Sequence, residues 1–243
     1  MNKKFSILHF SDLHFGELSV QQMGKYKTSF DDFFYYFLKK VQGIIDDKST
    51  DLVIISGDLT SRGKKKDLHN HFLMKFLDVF IENKVPIITC NGNHDLSREK
   101  IELGGQFDFY QEFINENKDR FQCELSKHFD INQISYVFLD SLNCLFFSIN
   151  SCRNIENRFL DSKNEIHDKD YTDVGIFSAK ELDLFLEEIR DKFGNRYHSM
   201  NIFLVSHHPM RRFSESIYSI KCLSERNISI VFSGHEHNYE FQE

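Results

Sequence analysis

Short apolar runs that each stop on the same few polar residue types constrain this chain more than any other feature. Phe5-Ser6-Ile7-Leu8-His9-Phe10 leads into Asp12-Leu13-His14, Leu52-Val53-Ile54-Ile55 into Gly57-Asp58, and Val85 to Thr89 into Gly92-Asn93-His94-Asp95. Further on, Asn201 to Val205 leads into His207-His208-Pro209, and Ile228 to Phe232 into Gly234-His235-Glu236-His237. Runs this short, bounded by turn formers, read as buried strands. Between the first of them, Phe30, Phe33, Phe34, Phe37, Leu38, Val41, Ile44 and Ile45 recur at three and four residues from Ser29 to about Asp47, one apolar helical stripe. Leu68, Phe72, Phe76, Val79 and Phe80 mark a second helix. Strands alternating with helices imply a parallel sheet with crossover helices. In such sheets ligands bind outside the carboxyl ends of the strands, so five separate segments would deliver their side chains to one place.

Residues 100–175 break this rhythm. A helical stretch near Phe107 to Phe121 is followed by strand-like Ile134 to Phe138 and Leu145 to Ile149, which suit a hairpin, and then by a polar loop from Arg153 to Asp173. Beyond it, Ser178 with Glu181 three residues on reads as a capping box opening a helix lined by Leu182, Phe185, Leu186 and Ile189. The chain has 243 residues and no repeat or linker, so the expectation is one domain over residues 1–243 with an insertion around 100–175.

Taken alone, each polar cluster has an ordinary explanation. Asp-x-His occurs by chance, Gly57-Asp58 suits a turn and Asn93-His94-Asp95 an Asx turn. Five such coincidences at five strand ends in one chain do not. In this order, and over nearly the whole length, the clusters resemble the signature of the calcineurin-like metallophosphoesterase superfamily. His9-Phe10-Ser11-Asp12-Leu13-His14-Phe15-Gly16 and Ser56-Gly57-Asp58-Leu59-Thr60 are most similar to its class III cyclic-nucleotide phosphodiesterase branch. Gly-His-Glu-His is also the spelling found in the family's DNA nucleases.

The resemblance implies a four-layer α/β/β/α sandwich and two divalent metal ions. Asp12, His14 and His237 would hold one, Asn93, His207 and His235 the other, and Asp58 would bridge them. Carboxylate, imidazole and amide ligands together suit Mn²⁺, Fe or Zn²⁺. A hydroxide bridging the metals would attack phosphorus, His94 would contact the phosphoryl group and protonate the departing oxygen, and Asp95 would hold the other nitrogen of the His94 ring. Cys90 reads as a small core residue, and His208 as lining the pocket or facing away.

Charge bears on the substrate. Thirty basic against thirty-seven acidic residues leave a net charge of −7, a poor match for a surface that grips duplex DNA. Yet Arg62, Lys64, Lys65 and Lys66 follow Asp58, and Arg211 and Arg212 follow His207. The expectation is an anionic phosphoester held by Arg62, Arg98 and Arg211, a small nucleotide rather than a long nucleic acid. The alternatives are a metal-dependent DNA nuclease and a metal-binding scaffold without turnover. Five cysteines without a CxxC pair, no signal peptide and no long apolar run point to the cytoplasm and to no membrane segment. Only residues 238–243 follow His237, whereas members of the family continue with further strands, so a homo-oligomer or a downstream domain is expected to cover the exposed edge. The 26 phenylalanines, with Trp absent and only 2 prolines, are expected to fill the core.

Overall fold

The computed structural model describes residues 5–16, 30–47, 50–97, 105, 107–153 and 174–236. It contains two sheets. The first has three parallel strands in the order β1 (Ile7–Phe10), β2 (Leu52–Ser56), β3 (Ile87–Cys90). The second has five, in the order β4 (Glu124–Leu125), β5 (Ser135–Leu139), β6 (Cys144–Ser148), β7 (Asn201–Ser206), β8 (Ile228–Ser233). The β4–β5 and β5–β6 pairings are antiparallel, so the hairpin expected near 134–149 is present, whereas β6–β7 and β7–β8 are parallel.

Side-chain alternation explains how the sheets stack. Along β6 and β7, Phe146, Phe203 and Val205 turn toward the first sheet, while Leu145, Phe147, Ile202 and Leu204 turn the other way. The outward set packs on α4 (Ala179–Phe193), through Leu182, Phe185, Leu186 and Ile189, and on Leu223 of α5 (Ser216–Glu225). Phe5, just before β1, meets Phe146 and His9 on β1 meets Phe232 across the sheets, while Phe10 points to the helices. Leu52 to Ile55 of β2 are fully buried because both faces of that strand are covered, which is why the run lacks polar alternation. Helix, sheet, sheet and helix make the four layers that the resemblance implied.

The helices over the first sheet are α1 (Phe30–Asp46) and α2 (His71–Glu82), and α3 (Asp108–Phe121) adds Tyr110, Phe113, Ile114 and Phe121 to the same core. Asn70 starts α2 by accepting from the Phe72 amide at 2.8 Å. Phe76 is the hub of this layer, with ring centroids 5.1 Å from Phe10, 5.9 Å from Phe15, 5.6 Å from Phe37 and 5.1 Å from Phe80. The α1 stripe is narrower than its sequence suggested. Phe34, Val41 and Ile45 are buried and Phe37 and Leu38 half-buried, but Phe33 and Ile44 lie on its flanks, 48% and 43% exposed. Ser178 caps α4 by accepting from the Glu181 amide at 3.3 Å, but the Glu181 carboxylate pairs with Arg153 and gives no return half of a capping box. The expected 153–173 loop lies almost wholly outside the described residues. No helix among the described residues is long and apolar enough to cross a membrane.

A buried amide relay joins the two sheets where the catalytic-type residues gather. Asn91, just after β3, donates to Asn150, just after β6, at 2.9 Å, and Asn150 donates to Gln133 at 2.8 Å. The sheets are thereby registered to each other at their carboxyl ends.

Phe76→Ala is expected to lower unfolding free energy by about 3–5 kcal/mol in urea titrations. Phe33→Ala should change it by no more than about 0.5 kcal/mol.

Candidate metal centre

The five polar segments do meet. Each follows a parallel strand, and the backbones stay paired past the strand ends. Asp12 N donates to Gly57 O at 3.2 Å, His14 N to Asp58 O at 2.9 Å and Phe15 N to Leu59 O at 2.9 Å, so the loop after β1 runs alongside the loop after β2. Gly234 N donates to His207 O at 3.0 Å, which does the same for β8 and β7.

Holding the side chains inward strains the backbone. Asp12 (φ 55), His14 (φ 47), Asp58 (φ 52) and His235 (φ 71) all sit in the left-handed region, at a cost of about 1–3 kcal/mol each for a residue with a Cβ. Such conformations persist where the surroundings over-determine them. Gly92 is one of those surroundings: a Cβ there would lie 2.1 Å from Asp58 Oδ1 and 2.4 Å from Asp58 N. Gly57 (φ 89) similarly leaves room for the His207 ring, whose Nδ1 would be 2.5 Å from a Cβ.

Asp58 is at the middle. It is buried, its Oδ1 accepts from the His94 amide at 2.9 Å, and its Oδ2 is 3.6 Å from both His14 Nε2 and His207 Nε2. Two clusters of potential ligand atoms, each within 4.8 Å, share this carboxylate: His14, Asp58 and His94, and Asp12, Asp58 and His207. His207 is fully buried. Its Nδ1 faces the Ser56 carbonyl at 3.0 Å, an acceptor only, so that nitrogen carries the proton. Its Nε2 lies 2.9 Å from Asn93 Oδ1 and 3.1 Å from His235 Nδ1, so three potential ligand atoms crowd together there. Asp12 takes the His235 amide at 3.2 and 3.1 Å on its two oxygens. Two carboxylates, an amide oxygen and several imidazole nitrogens converging in this way form a donor set that fits divalent cations of the Mn²⁺, Fe and Zn²⁺ type. Cys90 is not in either cluster, and burial pushes its thiol well above the ordinary range, in keeping with a core residue.

The partners expected for His94 and Asp95 need correction. His94 Nδ1 faces the Ser61 carbonyl at 3.1 Å, and its ring stands edge-on to His14 at 4.7 Å. The Asp95 carboxylate instead takes the amides of Leu59 (3.1 Å), Thr60 (2.8 Å) and Gly92 (2.9 Å) and the Thr60 hydroxyl (3.0 Å). Asp95 is therefore a brace between the loops after β2 and β3. Burial, followed by the charge of Asp58, raises its pKa to about 6, and the three amide hydrogen bonds oppose that rise.

The basic residues are less available than their sequence positions suggested. Lys65 pairs with Glu112 at 2.6 Å, and Arg211 and Arg212 both pair with Glu236. Arg62 is exposed beside Ser61. Arg98 and His237 lie outside the described residues. His208 is fully buried, with Nδ1 3.0 Å from Ser151 Oγ and its ring 4.8 Å from His235. Sequence reasoning missed the Ser56 and Ser61 carbonyls, Ser151 and Glu236. The first two act through the backbone and leave no mark in residue type. Glu236 carried a signal, since it stands between two histidines.

A family model described as calcineurin-like phosphoesterase matches residues 5–239. The chain belongs to the calcineurin-like phosphoesterase family. Its fold is similar to that of a crystallised dimetal phosphatase from Danio rerio, with a TM-score of 0.52 and 12% identity over 96% of this chain and 82% of that one. A search of curated protein sequences gave no match. The phosphoesterase is thus a metal-dependent hydrolase of phosphate esters, and the clusters around Asp58 supply its candidate ligands.

In this phosphoesterase Gly92→Ala should displace the Asp58 carboxylate. Calorimetric titration with Mn²⁺ is expected to show affinity reduced by about tenfold or more, with circular dichroism unchanged.

Proposed function

We propose that the protein hydrolyses phosphodiesters or phosphomonoesters of the nucleotide type at a dinuclear metal centre. Asp12, His14 and His237 would hold one ion, Asn93, His207 and His235 the second, and Asp58 would serve both. The observation that carries this reading is the central place of the Asp58 carboxylate, whose Oδ2 lies 3.6 Å from both His14 Nε2 and His207 Nε2, one from each proposed ligand set. When bound, two divalent ions would supply Lewis-acid stabilisation of the phosphoryl charge and acidify a coordinated water.

The protein's own residues do the rest. The Ser56 carbonyl fixes the tautomer of His207 and so keeps its Nε2 available as a ligand. The Ser61 carbonyl does the same for His94: with Nδ1 protonated against that oxygen, Nε2 is the position that exchanges a proton with the departing oxygen. Asp95 acts at one remove, tying Leu59, Thr60 and Gly92 so that Asp58 and His94 keep their separation. Arg62, exposed next to Ser61, is the phosphate contact the site supports best. A small substrate is favoured over nucleic acid because Lys65, Arg211 and Arg212 are already matched by carboxylates, in a chain of net charge −7.

The test is a screen of the Mn²⁺-loaded protein against chromogenic mono- and diesters, cyclic nucleotides, nucleoside monophosphates, and single- and double-stranded DNA. Turnover of the small esters with inert DNA is expected, and efficient cleavage of DNA alone would replace this reading with a nuclease. His94→Ala should lower kcat by about 10²–10⁴-fold while Mn²⁺ stoichiometry is kept.

A further inference from the structure

Glu236 is gripped by two arginines that arrive from a different strand. Arg212 Nε donates to Glu236 Oε1 at 2.9 Å, Arg211 Nε reaches the same oxygen at 3.3 Å, and Arg211 Nη2 pairs with Oε2. The carboxylate is the more enclosed partner, its side chain 18% exposed against 40% and 56% for the arginines. Both arginines belong to the single turn Met210–Arg212 that follows His207, and Glu236 directly follows His235.

The two segments so joined carry the imidazoles that stand 3.1 Å apart, His207 Nε2 and His235 Nδ1. On the N-terminal side of His235 they are joined by the Gly234 N to His207 O hydrogen bond of 3.0 Å. On its C-terminal side the arginine clamp on Glu236 joins them again. His235 itself, at φ 71, is in a conformation that relaxes unless both ends are held.

We propose that Glu236 is a positioning residue which, through Arg211 and Arg212, fixes the spacing of His207 and His235 and thereby the affinity of the metal site they share. This rests on the metal-centre reading above. It also reassigns Arg211: a guanidinium satisfied by a half-buried carboxylate braces the site instead of waiting for the phosphate of the substrate.

The test is calorimetric titration of the metal-stripped intact chain with MnCl₂, alongside KM for bis(p-nitrophenyl) phosphate at saturating Mn²⁺. The variants are Glu236→Gln, Glu236→Asp, Arg211→Ala with Arg212→Ala, and the triple variant. Glu236→Gln and the arginine pair are each expected to weaken one Mn²⁺ by about tenfold or more. The triple variant should be no weaker than either, because all of these changes remove one link. Glu236→Asp, which keeps the charge, should recover part of the affinity, and KM should stay within about twofold throughout. Unchanged Mn²⁺ affinity in Glu236→Gln overturns the proposal. So does a raised KM with unchanged Mn²⁺ affinity in the arginine pair, which would make the arginines substrate anchors. Fewer than two ions bound by the wild type would sink the dinuclear reading and this one with it, whereas two ions in the wild type with unaltered variants would sink this one alone.

Discussion

A buried carboxylate on left-handed backbone at the end of the central strand is what the site depends on. Asp58 cannot relax: its backbone carbonyl is bonded to His14 N, its Oδ1 to His94 N, and Gly92 lies against it with no side chain to spare. Burying a charge with so little room is costly unless cations offset it. The neighbours of Asp58 are imidazoles, an amide and a second carboxylate, Asp12, which on their own add more negative charge than positive. Folding thus creates an electrostatic deficit that divalent ions are suited to fill.

The fold makes that arrangement reproducible. Parallel pairing in register sends the ends of β1, β2 and β3 out of the same side of one sheet, and β7 and β8 do so in the other. The Asn91, Asn150 and Gln133 relay then locks the two sheets at that end. The apolar mass, with Phe76 and Phe146 inside it, supplies the stability against which four strained residues are held. Bracing continues outward through Asp95 on one side and Glu236 on the other. In both cases a carboxylate serves the geometry of residues next to it in sequence.

Much of this was readable from the chain. Buried strands declare themselves as unbroken apolar runs, and a polar residue straight after such a run lies at the carboxyl end of the sheet, so the convergence of Asp12, Asp58, Asn93, His207 and His235 followed from pattern alone. Hidden were features that depend on pairing distant in sequence. No local pattern says that β4 to β8 form a separate sheet, nor that Phe33 and Ile44 stay on the flank of α1. The partners of Asp95 and Arg211 were hidden for a related reason. A residue type announces what it can bind, but the Thr60 amide and the Glu236 carboxylate that satisfy these two lie 35 and 25 residues away.

The claim that Asp58 joins two ions is most directly tested by electron paramagnetic resonance of the Mn²⁺-reconstituted protein. The account predicts two Mn²⁺ per chain with an exchange-coupled signal that Asp58→Asn converts to isolated ions. A wild-type spectrum of isolated Mn²⁺ at full occupancy, or coupling that survives Asp58→Asn, would contradict it.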